Sequence, residues 1–191
     1  MLLILKGALS SLFNILKNCE DFRVSYQAII VCKKCPQESR EVVLEPILDY
    51  SGGCDFENFL DYRLRYTTTS CKKCKNEATS IIRNILWPKY LFIVIDEAQS
   101  ALEYENIKSI KLDNESQYDF IGEILYKNQH FTTVLKNPYV KTRSGYKMLS
   151  GSYHHDGMRN DGQLTKLTVS LKRFKCDQKP YILAYKKVNK I

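Results

Sequence analysis

Four cysteines in two identically spaced pairs are the side chains of this sequence best suited to chemistry. Two lysines separate Cys32 from Cys35, and two lysines also separate Cys71 from Cys74. Two C-x-x-C turns can present four thiolates to one ion, the tetrahedral ligand set that structural Zn²⁺ prefers. The lysines favour the thiolate forms. We therefore predict a structural zinc site here, with the 35 intervening residues forming structure of their own.

Disulfide bonds are the alternative use of these cysteines. The chain has seven cysteines, an odd number, and Cys19, Cys54 and Cys176 stand singly. The apolar start is interrupted by Lys6 and has neither the basic segment nor the cleavage site of a secretory signal. We expect a reducing intracellular compartment, cytoplasm or nucleus, where paired cysteines more often bind metals than form bridges.

Composition sets further bounds. With 191 residues, 44% of them hydrophobic, the chain can form one domain, or one domain with a small subdomain, around a real core. No apolar run is long enough to span a membrane, so no membrane partner is expected. The net charge is +8, but the basic residues are dispersed singly and in pairs. Charge alone therefore disfavours a nucleic-acid partner.

Hydrophobic periodicity predicts an α+β fold. Apolar positions from Leu2 to Leu16 recur at helical spacing, and so do those of residues 56–65. Strands are predicted over residues 24–31, 40–48 and 80–86, over a fully buried segment 90–95, and over 118–126, 131–135, 146–149 and 181–185. Residues 101–116 are predicted to be a polar loop, and residues 156–162 to be rich in turns. The strands dominate the second half, which we expect to be mostly antiparallel.

A histidine and an aspartate could form a catalytic pair. His130 lies where one predicted strand ends and the next begins, and its imidazole can accept a proton from a nucleophile near neutral pH. Asp156 could accept a hydrogen bond from the imidazole Nδ1–H and fix its tautomer. A surface-loop histidine and an ordinary Asp-Gly turn are the alternatives.

An ATPase is a further class to consider, because the apolar strand before Asp96 and Glu97 is similar to the Mg²⁺-binding strand of P-loop enzymes. Such an enzyme also needs the glycine-rich phosphate loop G-x-x-x-x-G-K-[ST]. The sequence has no such loop. We interpret the acidic pair as the solvated end of a buried strand.

The order of these motifs resembles the ubiquitin-specific proteases, a family of deubiquitinases with a papain-like catalytic fold shaped like a hand. The matching segments cover about residues 24–186. They are the two C-x-x-C turns, residues 44–49 (LEPILD), 56–60 (FENFL), 85–95 (ILWPKYLFIVI) and 118–122 (YDFIG), the His box at 129–133 (QHFTT), the Asp box at 153–158 (YHHDGM), and the closing strand at 180–185 (PYILAY).

The resemblance implies a partial catalytic domain over residues 1–191. It implies a zinc-binding fingers subdomain at about residues 24–90, a palm built on an antiparallel sheet at about 90–186, and an N-terminal helix. It also implies that His130 is the base, that Asp156 orients it, and that the four paired cysteines hold zinc. The implied activity is that of a ubiquitin carboxyl-terminal hydrolase, a cysteine-type isopeptidase, with ubiquitin or ubiquitinated proteins as partners.

The catalytic cysteine of the family is not found. Its Asn-x-Gly-Asn-x-Cys box has no convincing match, because the segment from Asn14 to Cys19 lacks the glycine and is followed by Glu20 and Asp21. Adjacent anions raise a thiol pKa, the wrong direction for a nucleophile. Gln129 also stands where the family usually has glycine.

Whether the chain is an enzyme therefore stays open. Loss of the nucleophile from a hydrolytic triad costs on the order of 10⁶ in kcat. The chain is then either the C-terminal portion of a longer active protease or a catalytically inactive, ubiquitin-binding homologue. A zinc-ribbon nucleic-acid binder is the third hypothesis.

Overall fold

The computed structural model describes residues 14–35, 39–45, 47–50, 66–95, 108–112, 116–127, 130–168 and 179–188. Within these residues the chain is mainly β-structure. The strands are β1 (Val24–Val31), β2 (Ser39–Glu45), β3 (Leu48–Tyr50), β4 (Tyr66–Ser70), β5 (Glu77–Leu86), β6 (Tyr90–Ile95), β7 (Ser109–Lys111), β8 (Gln117–Lys127), β9 (His130–Lys136), β10 (Tyr139–Thr142), β11 (Gly145–Met148), β12 (Ser152–His155), β13 (Thr165–Lys166) and β14 (Lys179–Lys187).

The first sheet has the strand order β2-β1-β5-β4, and all of its pairs are antiparallel. Alternate residues of β1 are buried, beginning with Val24, Tyr26 and Ala28. Val31, at the end of β1, pairs with Thr79, near the start of β5. The turn after β1 and the turn before β5 therefore lie at the same end of this sheet.

The second sheet has the order β13-β12-β9-β8-β14-β6-β3, with β7 also paired to β8. Every pair is antiparallel except β3 with β6. β8 and β9 approach closely at Gly122, where an added Cβ would lie 2.5 Å from the carbonyl oxygen of Val134. Only glycine fits there without a backbone shift.

One hydrophobic core joins the two sheets. Its residues are fully or nearly fully buried, and they come from β1, β3, β6, β7, β8 and β14: Val24, Tyr26, Ala28, Leu48, Tyr50, Leu91, Ile93, Ile95, Ile110, Tyr118, Phe120, Leu183 and Tyr185. Aliphatic and aromatic side chains of this size each contribute about 1.5–3 kcal/mol on burial. The first sheet therefore cannot move freely on the second without exposing this core.

Most strand predictions are confirmed, and three need correction. Residues 40–48 are not one strand: β2 ends at Glu45, and Leu48 begins β3, which joins the second sheet. In the sequence, Pro46, which lacks a backbone N–H, separates the two strands. The strand at 90–95 is not fully buried but alternates between buried and partly buried residues. Within the predicted loop 101–116, Ser109–Lys111 forms β7.

The predicted helices fall largely outside the described residues. Residues 14–17 are helical, while residues 1–13 and 51–65 lie outside the description, so the α part of the predicted α+β fold is not shown. The described residues show a mainly antiparallel sheet protein with a four-cysteine cluster. The division into fingers and palm near residue 90 stays a prediction. In the described part of the chain, no helix is both long and apolar enough to cross a membrane.

A carboxyl group is buried in the centre of the second sheet. Glu123 of β8 is 2% exposed, and it pairs with Leu183 of β14 and Val134 of β9. Burial raises the pKa of this carboxyl to about 8, because an apolar environment disfavours its charged form.

Stability should therefore fall as the pH rises through the neutral range. The unfolded chain loses the Glu123 proton near the ordinary pKa of 4.5, whereas the folded chain keeps it until about 8. The contribution is complete below pH 4.5 and disappears as the pH approaches 8. Urea unfolding at the two ends of this range should show that Glu123→Gln reduces the loss of stability, by up to a few kcal/mol. Glu77→Gln, at an exposed position of β5, is the matched control. Identical pH dependence of the wild type and Glu123→Gln would contradict the prediction.

Candidate functional site

The two cysteine pairs meet at one end of the first sheet. Cys32 and Cys35 lie in the turn after β1, and Cys71 and Cys74 lie in the turn before β5. Because β1 and β5 are antiparallel neighbours, these turns face each other although the pairs are far apart in sequence. Cys32 and Cys71 are each 6% exposed, and they form a small core with Ile30 and Ala78 that is separate from the main one.

The four sulfur atoms have the spacing of a tetrahedral metal site. Cys32 Sγ lies 3.6 Å from Cys74 Sγ, and Cys71 Sγ lies 3.7 Å from Cys35 Sγ. All four lie within 4.8 Å of one another. An ion bound about 2.3 Å from each sulfur would hold the sulfurs about 3.8 Å apart. The cysteines are free thiols, so this cluster could hold a metal ion, as the sequence predicted.

Backbone hydrogen bonds shape both turns. The Cys35 N–H donates to the Cys32 carbonyl at 3.3 Å, and the Lys75 N–H donates to the Cys71 carbonyl at 2.9 Å. Lys75 has a φ of 61°, which closes the second turn tightly. Lys34 Nζ donates to Asn76 Oδ1 at 3.2 Å, so the two turns also contact each other through side chains.

The thiols of the cluster differ in acidity. Hydrogen bonds from the side chain and backbone of Asn76 lower the pKa of Cys74 to about 6. Backbone N–H groups of Cys74 and Lys73 lower the pKa of Cys71. Hydrogen bonding to Cys74 and Cys71 raises the pKa of Cys35 to about 12, because Cys35 holds the proton that its neighbours accept. Binding a metal to all four sulfurs must displace that proton.

His130 and Asp156 are also in contact. His130 is the first residue of β9, and Asp156 directly follows β12. β9 and β12 are antiparallel neighbours, with Thr133 opposite His155. His130 Nε2 lies 2.9 Å from Asp156 Oδ1. The imidazole side chain is 34% exposed and the aspartate side chain 8%, so the pair is a buried carboxylate beneath a ring that solvent can reach.

Asp156 is held in its ionised form. The Met158 N–H donates to Asp156 Oδ1 at 2.9 Å, and Arg159 Nε lies 3.8 Å from Oδ2. These contacts and the imidazole lower the pKa of Asp156, with the Met158 N–H as the largest cause. The Asp-Gly turn predicted from sequence is present, and it serves to direct a backbone donor at the carboxylate.

One detail of the predicted pair is wrong. The carboxylate contacts Nε2 rather than Nδ1 of His130. A carboxylate that accepts from Nε2–H leaves Nδ1 as the basic nitrogen. The ring therefore takes a proton on the opposite side from the one expected.

Sequence reasoning missed two polar groups near the pair. Thr132 is 5% exposed. His154 lies opposite Val134, and burial lowers its pKa. These residues lie in strands with ordinary alternation, and only the pairing of β8, β9 and β12 places them near Asp156.

Cys19 lies far from this pair. Asp21, two residues after Cys19, accepts a hydrogen bond from the Tyr90 N–H at the start of β6. Lys186 of β14 pairs with Tyr90 on one side and with Asp119 of β8 on the other, so Tyr90 and Asp119 lie at the same level of the sheet. His130 pairs with Lys127, eight residues further along β8, which corresponds to about 26 Å at the usual strand rise. Cys54 and Cys176 lie outside the described residues.

No protein-family model and no curated protein matches this sequence. Solved structures do match the fold. A chain of the SAGA DUB module of Ubp8, Sgf11, Sus1 and Sgf73, bound to monoubiquitin, is similar with a TM-score of 0.54 at 15% identity, over 89% of this chain and 41% of that chain. A chain of the same module bound to ubiquitin aldehyde has a TM-score of 0.51 at 14% identity, over 89% of this chain and 42% of that chain.

A third similar structure, of the yeast SAGA DUB module with a variant Sgf73, has a TM-score of 0.54 at 16% identity and covers 89% of this chain and 42% of that chain. This chain therefore spans about two fifths of the length of the solved chains it matches. At this level of identity the similarity concerns the fold. Together with the sheet topology, it shows that the chain has a deubiquitinase-like fold.

Proposed function

We propose that this chain is the fingers-and-palm part of a ubiquitin-specific protease, a cysteine-type deubiquitinase that hydrolyses isopeptide bonds. The observation that carries the proposal is the contact between His130 and Asp156 in a deubiquitinase-like fold. Two groups that are far apart in sequence and hydrogen-bonded at a strand entrance are the base and orienting group that such chemistry requires.

In the proposed mechanism, Asp156 accepts the Nε2–H of His130 and keeps Nδ1 unprotonated and basic. Nδ1 takes the proton of a nucleophilic thiol, and the ionised carboxylate stabilises the imidazolium that results. The proton then passes from the imidazolium to the leaving amine. The thiol itself has no counterpart near His130 among the described residues, so the protease requires a cysteine outside them.

The same absence supports the alternative function, a catalytically inactive ubiquitin-binding homologue. Ubiquitin binding needs a surface rather than a thiolate. The open face of the first sheet offers one, since Val42 of β2 is 72% exposed and Leu86 of β5 is 69% exposed. Register places Val42 beside Gln27 and Leu86 beside Ser25 on the same face of β1. We propose this face, with its two exposed aliphatic side chains, as the contact surface for ubiquitin.

The cysteine cluster would hold a structural zinc ion in either case. Four thiolates at this spacing match zinc in ligand type and geometry. A bound zinc ion would join the turn after β1 to the turn before β5, and it would stabilise the end of the first sheet that the main core does not reach.

Removal of one zinc ligand should destabilise this end of the first sheet. Zinc-binding free energies in small domains are on the order of 10 kcal/mol, and much of this is folding energy. We expect Cys32→Ser to lose the metal and the slow amide exchange of β1 and β5, while β8 and β14 stay protected. Elemental analysis measures the zinc content, and hydrogen exchange measures the protection of each strand. Cys19→Ser is the control, which should keep one zinc per chain. A metal-free protein with full protection in β1 would exclude the zinc site.

The tautomer of His130 tests the proposed pair without requiring activity. Nitrogen-15 spectra of the neutral ring should show the proton on Nε2 in the wild type. Asp156→Asn should shift the ring towards a mixture of tautomers, because the amide no longer demands a donor at that position. Asp161→Asn, at an exposed position in the same turn region, should leave the spectrum unchanged. A proton on Nδ1 in the wild type would contradict the mechanism.

Ubiquitin binding and turnover together test the proposed function. Labelled ubiquitin should bind saturably by fluorescence polarisation, and Val42→Asp with Leu86→Asp should weaken its affinity at least about tenfold, because both place charge in a desolvated contact. Met148→Asp, at an exposed apolar position on a different hairpin, is the matched control. The absence of saturable binding at high micromolar protein would count against both ubiquitin functions.

A covalent ubiquitin vinyl-sulfone probe separates the two ubiquitin functions. We expect no labelling of this chain alone, and no turnover of ubiquitin-AMC. Labelling would show that one of its own cysteines is a nucleophile, and would contradict the proposal that this chain lacks the catalytic cysteine.

A further inference from the structure

The hairpin formed by β10 and β11 is a separate two-stranded sheet. It extends from the ladder of β9 and β12, whose last pair is Lys136 with Ser152. At its base the Asn137 N–H donates to the Gly151 carbonyl at 2.8 Å, and the Gly151 N–H donates to Asn137 Oδ1 at 2.8 Å. These bonds connect the base of the hairpin to the end of the β9–β12 ladder.

One face of this hairpin carries two tyrosines, a lysine and a methionine. Tyr139 pairs with Met148, and Lys141 pairs with Tyr146. Paired residues and residues two apart share a face, so all four side chains point to the same side. Tyr139, Tyr146 and Met148 are 66%, 76% and 52% exposed. We call this set the hairpin face.

The lysines and arginines of the hairpin segment have no acidic residue among them in the sequence. Between Lys127 and Asp156 the sequence has four basic residues and no acidic residue. Lys136, Lys141, Arg143 and Lys147 are all exposed. Arg143 lies in the tight turn that joins the two strands, a turn that Gly145 completes with a φ of 125°. The ion pairs of the described residues involve none of these cations, so their field is available to an anion.

Open aromatic rings beside exposed cations suit a particular ligand. Tyr139 and Tyr146 are diagonal neighbours across the hairpin, at a Cβ separation of about 7–8 Å or less. Rings so placed can stack two successive unpaired bases, while the cations neutralise the phosphates between them. Duplex bases stack on each other and have no free faces, so a duplex would leave both rings unused. An acidic protein segment would use the cations but gain little from two bare rings.

We propose that the hairpin face binds single-stranded nucleic acid. The proposal does not depend on deubiquitinase activity. His130 lies at the start of β9 and the hairpin follows its end, a separation of about 20 Å along the strand. Over the whole chain the basic residues are dispersed, which disfavours nucleic acid. Within this hairpin, however, Lys141 lies on the same face as the two tyrosines, and Arg143 lies in the turn beside them.

Fluorescence polarisation of the full chain with a labelled 12-nucleotide oligothymidylate tests the proposal. We expect saturable binding at low salt. The log of the affinity should fall with the log of the salt concentration at a slope of about −1.4, as one phosphate contact each from Lys141 and Arg143 on a single strand would give. Tyr139→Ala with Tyr146→Ala should weaken binding at least about fivefold for each ring removed. The matched pair Tyr139→Phe with Tyr146→Phe keeps the rings and should stay within about twofold of the wild type.

The charge contribution has its own matched control. Lys141→Gln with Arg143→Gln should reduce both the affinity and the salt slope, by about 0.7 for each phosphate that the protein no longer neutralises. Lys108→Gln with Lys111→Gln removes the same charge from exposed positions at β7, and should change neither. Labelled ubiquitin binding should be the same in the tyrosine variants as in the wild type, which separates this site from the open face of the first sheet.

Three outcomes would overturn the proposal. Equal oligonucleotide affinity of the alanine pair and the phenylalanine pair would mean that the rings do not stack bases. Binding of a labelled 12-residue polyglutamate as tightly as the oligonucleotide would indicate an acidic protein partner or simple charge attraction. Tighter binding of a matched duplex than of the single strand would indicate backbone recognition alone.

Discussion

The register of β9 against its two neighbours is the constraint on which the proposed catalytic site depends. β9 lies between β8 and β12, and the pairing of Thr133 with His155 places Asp156 beside the first residues of β9. Because side chains alternate between faces, a slip of one residue would turn His130 away from the carboxylate. Gly122 allows the close approach of β8 that holds this register. The pair is thus positioned by backbone hydrogen bonds and not by a flexible loop.

The cysteine cluster depends on the same kind of constraint in the first sheet. Antiparallel pairing of β1 with β5 brings two turns together, and each turn contributes a preformed pair of sulfurs. Asn76 and the backbone of the second turn lower the pKa values of Cys74 and Cys71, which favours the thiolate forms that bind a metal. A metal would add a strong link at the one end of this sheet that the main hydrophobic core does not support.

The sequence was most informative where chemistry requires a short, fixed spacing. Both C-x-x-C turns and the contact between His130 and Asp156 could be predicted, because ligand geometry and motif order constrain them whatever the rest of the fold does. Local alternation also predicted β1, β8 and β9. It could not predict that Leu48 leaves the strand of Glu45 and joins another sheet, since the two segments have similar hydrophobicity.

Non-local pairing explains the remaining failures. The choice of Nε2 over Nδ1 follows from the direction in which β12 delivers Asp156, and no local pattern contains it. Glu123 is a polar residue in an alternating strand, a pattern that predicts an exposed side chain. It is buried instead, in a strand that lies between β14 and β9. The basic residues of the β10–β11 hairpin are close together in the sequence, but only strand pairing shows that Lys141 shares a face with Tyr139 and Tyr146.

The place of β14 has a consequence for how this protein acquires its structure. β14 is the last strand of the described chain, yet it lies in the interior of the second sheet, between β6 and β8. A ribosome must deliver residues 179–187 before β6 can pair with anything on that side. Until then β6, which contains Leu91 and Ile93, and β8 each have one unpaired edge. Such edges can pair with other nascent chains. Such long-range closure makes folding slow, and a chaperone that shields this gap during synthesis would be of direct benefit to the yield of native protein.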